Sequence, residues 1–349
     1  MSDERFNPEM LVIARLAREM TQGDLAKVAK TTQARVSRVE HGLLAPPESL
    51  IDRFANVLNF PRTFFYQDGR IPGLPIRFHR KRQLSQRTFD RLHAEITIRA
   101  MHIRQLLRST DVKWERDIPR IDVDQFDGNV EEIARAVRQY WEIPRGPIPD
   151  LVGVVELAGA IVVPFDFGAP EVDAVSLPIS GMPTLIFVNN TIPADRLRFT
   201  LAHEIGHIVM HAIPNPEMEK EAHRFAAEFL MPEQDIKPHL RSVTLPVLAA
   251  LKKVWRVSMA ALLMRARQLK IISERVYVAL VRQMAPYRRR EPAELDLTPE
   301  NARLLQEMID FHKEKLKYGV QEIAGILHVG AKEFQRMYYG RSHQLQLVG

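Results

Sequence analysis

The sequence contains no cysteine. That absence excludes disulfides, Cys-ligated zinc, iron–sulfur clusters and thiol catalysis, so any transition-metal site must be built from His, Asp or Glu. Long apolar runs are missing as well. The stretch after Leu245 is broken by Lys252, Lys253 and Arg256, well short of the ~18 apolar residues that a membrane span needs. The first ten residues, MSDERFNPEM, carry no apolar signal region. There is no internal repeat and no low-complexity tract. The expectation is a soluble cytoplasmic protein with no membrane role. Its 349 residues, at about 150 per domain, leave room for two or three domains with buried cores.

What is present begins with charge. Lys and Arg number 49 against 43 Asp and Glu, a net +6, mild evidence for a nucleic-acid partner. The excess is concentrated. Residues 77–108 hold Arg77, Arg80, Lys81, Arg82, Arg87, Arg91, Arg99, Arg104 and Arg108, with Asp90 and Glu95 as the sole acids. One reading is an arm that faces phosphates; the other is a helix face that pairs with acids elsewhere. Residues 1–70 alone are nearly neutral.

Four short helices are expected at the N-terminus: Pro8 to Glu19, one opened by Thr21 with Asp24 as its capping-box partner, one from Gln33 to Glu40 capped by Thr32, and one from Leu50 to Leu58. Val36 and Val39 lie on the inner face of the third. Gln33, Ala34, Arg35, Ser37 and Arg38 are left outward, and His41-Gly42 stops it. A short helix, a tight turn and a helix that presents Gln, Arg and Ser outward suit a DNA major groove. The Gly/Pro-rich stretch 68–76 reads as a linker, followed by a long helix from about Ser85 to Ser109. A further helix spans 129–142. Ala160–Val163 and Thr184–Val188 are strand candidates. From Ala194 onward the pattern is helical.

The sharpest motif is His203-Glu204-Ile205-Gly206-His207. On a helix, residues i and i+4 share a face, so both histidines can converge on one ion, with Glu204 one residue on and able to reach a water there. Catalytic zinc takes three protein ligands and keeps a fourth position open. The downstream candidates for the third are His211, Glu217, Glu219, Glu221, His223 and Glu228. Glu219 and His223 share a face of a second helix, whose Ala222 and Ala226 allow close packing on the first. That arrangement favours Glu219 as ligand and His223 as its support, with spacing alone leaving Glu221 and His223 open.

Two resemblances follow from these residues. Thr21-Gln22, Leu25-Ala26 and Val36-Ser37-Arg38-Val39-Glu40-His41-Gly42 resemble the helix-turn-helix of the XRE (Cro/phage-repressor-like) family. The departure is Lys30, where that family usually has Gly, and where the chain must accept φ > 0 or shift the turn. The resemblance implies that Gln22 contacts phosphate and that Gln33, Arg35, Ser37 and Arg38 face double-stranded operator DNA, with Thr32 at the edge of that set. Arg196-Leu-Arg-Phe199-Thr200-Leu-Ala202-His203-Glu204-Ile-Gly206-His207, followed by Glu219 to Pro232, is similar to the ImmA/IrrE family of zinc metallopeptidases. That likeness implies a Zn2+ cofactor held by His203, His207 and Glu219, and Glu204 as the catalytic base. It also implies a protein substrate of repressor or antitoxin-like type. His223 departs from the Asn or Asp usual there. His211, His223 and Tyr277 are candidates for an oxyanion partner.

The expected fold class is mainly α (α+β). The expected domains are a helix-turn-helix bundle at 1–68, a basic linker and long helix at 69–128, a zincin-like metallopeptidase domain with a small sheet and helical bundle at 129–290, and a C-terminal helical module at 291–349. The expected function is a DNA-binding transcriptional regulator with a zinc endopeptidase domain that cleaves a repressor or antitoxin-like protein, working as a homodimer on paired half-sites. The alternative is a non-catalytic transcription factor whose zincin-like domain senses a metal, peptide or small ligand. A third reading is an interaction protein such as an antitoxin.

Overall fold

The computed structural model describes residues 5–67, 84–110, 112, 114–287 and 290–340. The linker at 68–76 and the basic group Arg77, Arg80, Lys81 and Arg82 lie outside the described residues. The chain is mainly helical with one small sheet, and it divides into two compact units, residues up to 112 together with 304 onward, and residues 113–303.

The first unit starts with α1 (Pro8–Leu16), α2 (Gln22–Val28), α3 (Gln33–Glu40) and α4 (Glu48–Leu58). The local signals act as expected. Thr21 and Asp24 form a capping box on α2, and the Thr32 hydroxyl caps α3 by accepting from the Arg35 amide at 3.3 Å. Lys30 adopts φ +52° in the turn, so the turn is kept and the lysine bears a conformation that glycine would adopt without strain. α1 ends earlier than its pattern suggests, because Glu19 turns to φ +53°. Arg15 then ties α1 to α3 through Glu40 at 2.6 Å.

The long helix α5 (Gln86–Leu107), capped by Ser85, is not a separate arm. Leu92, Ala94, Ile96, Ile98, Ala100, Met101, Ile103 and Leu106 are all buried, which is apolar surface on more than one face and therefore a central helix. Ala94, Ile98 and Met101 share the core of α1–α4. The C-terminal helices α14 (Leu304–Glu314), α15 (Val320–Ile326) and α16 (Ala331–Tyr338) belong to this same unit, and α14 packs on α5. Several arginines of the basic segment are engaged here. Arg91 pairs with Glu95 at 3.0 Å, and Arg99 lies 4.9 Å over the Tyr338 ring while donating to the Met337 carbonyl. Of these two, Arg91 is paired with acids, Glu95 on its own helix and Glu19 at 3.9 Å, whereas Arg99 meets a ring and a carbonyl.

The second unit places α6 (Val130–Tyr140) and α7 (Leu151–Leu157) before a three-stranded sheet, β1 (Ala160–Phe165), β2 (Ala174–Leu177) and β3 (Thr184–Asn189). The order is β1-β3-β2, with β1 parallel and β2 antiparallel to β3, and Ala160 registers with Thr184. Then follow α8 (Ala194–Met210), α9 (Met218–Leu230), the short α10 (Glu233–Ile236), α11 (Leu245–Trp255), α12 (Met259–Gln268) and α13 (Glu274–Gln283). α9 packs on both α8 and α6. Gly206 makes the α8–α9 approach possible, since a Cβ there would stand 3.0 Å from the Phe225 ring.

Buried charge fixes the frame around these helices. Lys252 reaches Asp195 at 2.5 Å and Glu291 at 2.7 Å, anchoring the start of α8. Arg198 pairs with Glu300 and donates to the Ile148 carbonyl at 2.7 Å; burial lowers its pKa to about 10, still charged at neutral pH. Among the described residues, no helix is long and apolar enough to cross a membrane.

Candidate functional site

α8 carries His203 and His207 one turn apart. Their Nε2 atoms are 3.0 Å from each other. Glu219, from the first turn of α9, brings Oε2 to 3.4 Å from His203 Nε2 and Oε1 to 3.4 Å from His207 Nε2. The donor atoms of the three residues lie within 4.8 Å of one another. A tetrahedral ion with bonds of about 2.0–2.2 Å holds its donors roughly 3.3–3.6 Å apart, so two imidazoles and one carboxylate fit a single borderline-soft cation. Apolar residues back the cluster: Leu201, Ile205, Ile208 and Val209 on α8 and Phe225 and Ala226 on α9 are buried. Glu204 follows His203 on α8 and is half-buried.

The other candidates for a third ligand are engaged elsewhere. Glu228 is buried against Arg265 and also pairs with Arg135 at 3.0 Å. Glu217 pairs with Lys220 at 3.3 Å. His211 uses both ring nitrogens: Nδ1 lies 2.9 Å from His207 Nδ1, and Nε2 lies 2.9 Å from Glu221 Oε2. His223 is exposed, with its ring edge-on to His203 at 4.6 Å and Nδ1 at 3.1 Å from the Glu219 carbonyl. It borders the centre at the mouth, between His203 and Phe199. Tyr277 stacks under the Arg267 guanidinium at 4.4 Å.

The pairing of His211 with Glu221 is not among the sequence expectations. A signal for it exists: His203, His207 and His211 are spaced i, i+4, i+8, the last at the C-cap of α8. Spacing does not show that the third imidazole turns to the back of the second.

On the first unit, Gln33, Ala34, Arg35 and Arg38 are exposed on α3, and Ser37 is half-exposed. Val36 and Val39 are buried beneath them. Among the described residues neither Arg35 nor Arg38 forms an ion pair, so both guanidinium groups stand in solvent. Gln22 differs. It is half-buried, and its amide donates to Glu40 Oε2 at 2.8 Å, beside the Arg15 pair. Thr32 is exposed and serves as the α3 cap.

With both sites described, comparison with known families is informative. Residues 11–65 match the helix-turn-helix family, and residues 155–267 match the IrrE N-terminal-like domain. Both matches fall within one chain and do not overlap. Comparison with curated proteins gave no match. The helix-turn-helix match begins within α1, runs past α4 and supports DNA binding by this segment. The IrrE-type match runs from α7 through α12, contains the whole His203–His207–Glu219 cluster, and marks a metallopeptidase-type domain.

Proposed function

We propose that this protein is a DNA-binding transcription regulator whose IrrE-type domain is a zinc-dependent endopeptidase, and that it cleaves a repressor or antitoxin-like protein to relieve repression. The observation that supports this most strongly is the convergence of the His203, His207 and Glu219 donor atoms within 4.8 Å, beside Glu204. Those three side chains would hold the ion. When bound, zinc supplies a Lewis acid that acidifies water and polarises a carbonyl oxygen.

The chain's own residues do the rest. His203 and His207 offer neutral Nε2 lone pairs, and Glu219 supplies the single negative charge of the ligand set. The Glu204 carboxylate takes the proton of the attacking water and passes it to the leaving amine nitrogen, so the peptide bond breaks with one water consumed. Buried Leu201 and Ile205 exclude bulk water from the back of the site.

In the helix-turn-helix, α3 enters the major groove with Gln33, Arg35, Ser37 and Arg38 towards the DNA, Thr32 at its N-terminal edge and Gln22 beside the backbone. Two copies on half-sites about one helical turn apart suit this geometry. A DNA-reading protein of this kind works in the cytoplasm. Holding the peptidase at an operator raises its effective concentration near a DNA-bound substrate.

The test pairs metal content with a base substitution. Elemental mass spectrometry should find about one zinc per chain, as a single three-ligand site requires, in wild type and in Glu204→Gln alike. Target cleavage in cells should be lost in Glu204→Gln alone. Regulation that survives Glu204→Gln intact removes the enzyme and leaves a non-catalytic sensor.

A further inference from the structure

We infer that His211 and Glu221 form a proton-directing pair that fixes the tautomer of His207 and thereby sets the metal affinity of the centre. This rests on the reading of His203, His207 and Glu219 as the metal-holding set.

The argument is one of donors and acceptors. His207 has its Nε2 among the other two donors, 3.0 Å from His203 Nε2 and 3.4 Å from Glu219 Oε1. To offer a lone pair there it must carry its proton on Nδ1. Nδ1 lies 2.9 Å from His211 Nδ1, which must then accept. An imidazole that accepts at Nδ1 carries its proton on Nε2. His211 Nε2 lies 2.9 Å from Glu221 Oε2, an acceptor of fixed polarity. With one proton on each imidazole, one arrangement is left: Glu221 accepts from His211, and His211 accepts from His207. The carboxylate at the far end therefore dictates which nitrogen of His207 faces the ion.

The placement is built to be rigid. The His211 side chain is fully buried, and its backbone N–H caps α8 on the His207 carbonyl at 3.0 Å. Asn215 Nδ2 donates to the same Glu221 oxygen at 3.3 Å, and Arg224 lies near enough to feel the Glu221 charge. Metal-bound histidines depend on such an outer partner for ring orientation and basicity, and its loss typically costs about 10–100-fold in metal affinity. Here the outer partner is a second imidazole with a carboxylate behind it, at the C-cap of the ligand helix. His211 and Glu221 are positioning residues; neither touches the ion.

Two measurements test this on the full chain. The first is zinc affinity by competition with a chromogenic chelator, for wild type, His211→Phe, His211→Asn and Glu221→Gln. Removing the acceptor in His211→Phe should weaken zinc by about 10–100-fold. Asn places its amide oxygen where His211 Nδ1 sits, so His211→Asn should recover most of that loss. Glu221→Gln keeps an acceptor without the charge and should fall between. The second is ¹⁵N NMR of histidine side chains in metal-free protein. Its expected result is His207 protonated at Nδ1, against the Nε2–H form that imidazole prefers in water. This readout remains if a variant folds poorly, and it is independent of any peptidase activity. An Nε2–H tautomer at His207, or zinc affinity within about twofold of wild type in folded His211→Phe, overturns the inference. A wild type that binds no zinc while showing the Nδ1–H tautomer overturns the metal reading and leaves the pair intact.

Discussion

The exposed face of α3 and the centre between α8 and α9 handle polar side chains in opposite ways. On α3, Arg35 and Arg38 are exposed, and local features aim them: the Thr32 cap, the Lys30 turn and the Val36–Val39 inner face, with Arg15–Glu40 tying the helix to α1. At the candidate metal centre the donors sit against buried apolar residues of α8 and α9. Their convergence depends on a second helix, on the missing Cβ of Gly206 and on a histidine–carboxylate pair behind His207. A surface for a charged polymer needs only presentation, because the partner brings the geometry. A site for a single ion needs donors placed to within a fraction of an ångström, which local sequence does not supply.

The contrast makes the two regions separable. The largest expected effect is Glu219→Ala, which removes the sole ligand contributed by α9. Zinc affinity should fall by more than about 100-fold, beyond the range seen when an outer partner is removed, with binding of DNA selected from a random library unchanged. A loss of both, read by zinc content and gel shift on one preparation, breaks the separation. In the converse direction, Arg35→Ala with Arg38→Ala should weaken DNA binding by about 1–3 kcal/mol for each base that the two arginines read and leave zinc per chain at the wild-type value. Unchanged DNA affinity would remove α3 from the DNA interface.

A smaller and more general contrast is in pH. His102 on α5 is fully buried, with Nδ1 2.8 Å from the Tyr338 hydroxyl. Burial, and then the charges of Arg99 and His328, lower its pKa from 6.5 to about 3. The unfolded chain therefore binds a proton below pH 6.5 that the folded unit refuses. Stability from this group is complete above pH 6.5 and is lost as pH falls towards 3. At pH 5 the loss is roughly 2 kcal/mol. Hydrogen exchange should show α5 and α16 opening more readily at pH 5 than at pH 7, and His102→Leu should flatten that dependence. Equal exchange at both pH values would show that His102 is not the acid-sensitive group of this unit.

Legibility follows the range of the interaction. The capping box at Thr21–Asp24, the α3 cap and the two apolar strands β1 and β3 are readable from runs of four to six residues, because their hydrogen bonds and burial patterns are local. Strand β2 is not: four residues, Ala174–Leu177, give too short a period to stand out, and its partner β3 supplies the ladder. The long helix is legible as a helix, but its position is not. Arg99 counts as charge in a sequence, yet the fold sets it over the Tyr338 ring. The C-terminal helices are legible in the sequence as a helical module, but not their partners: Glu333 meets Arg18 at 3.4 Å and Tyr338 meets His102.

Composition and spacing by themselves determined that any metal site here uses His and carboxylate, that His203 and His207 share a helix face, and that α3 presents Gln and Arg outward. Helical periodicity and side-chain chemistry suffice for those statements. Spacing favoured Glu219 and left Glu221 and His223 open; only the tertiary structure brings Glu219 to the two histidines and turns His211 to the back of His207. The reason is physical: the choice among neighbouring carboxylates depends on how α9 rolls against α8, and Gly206, Phe225 and the ion pairs of Glu228 set that roll through contacts far apart in the chain.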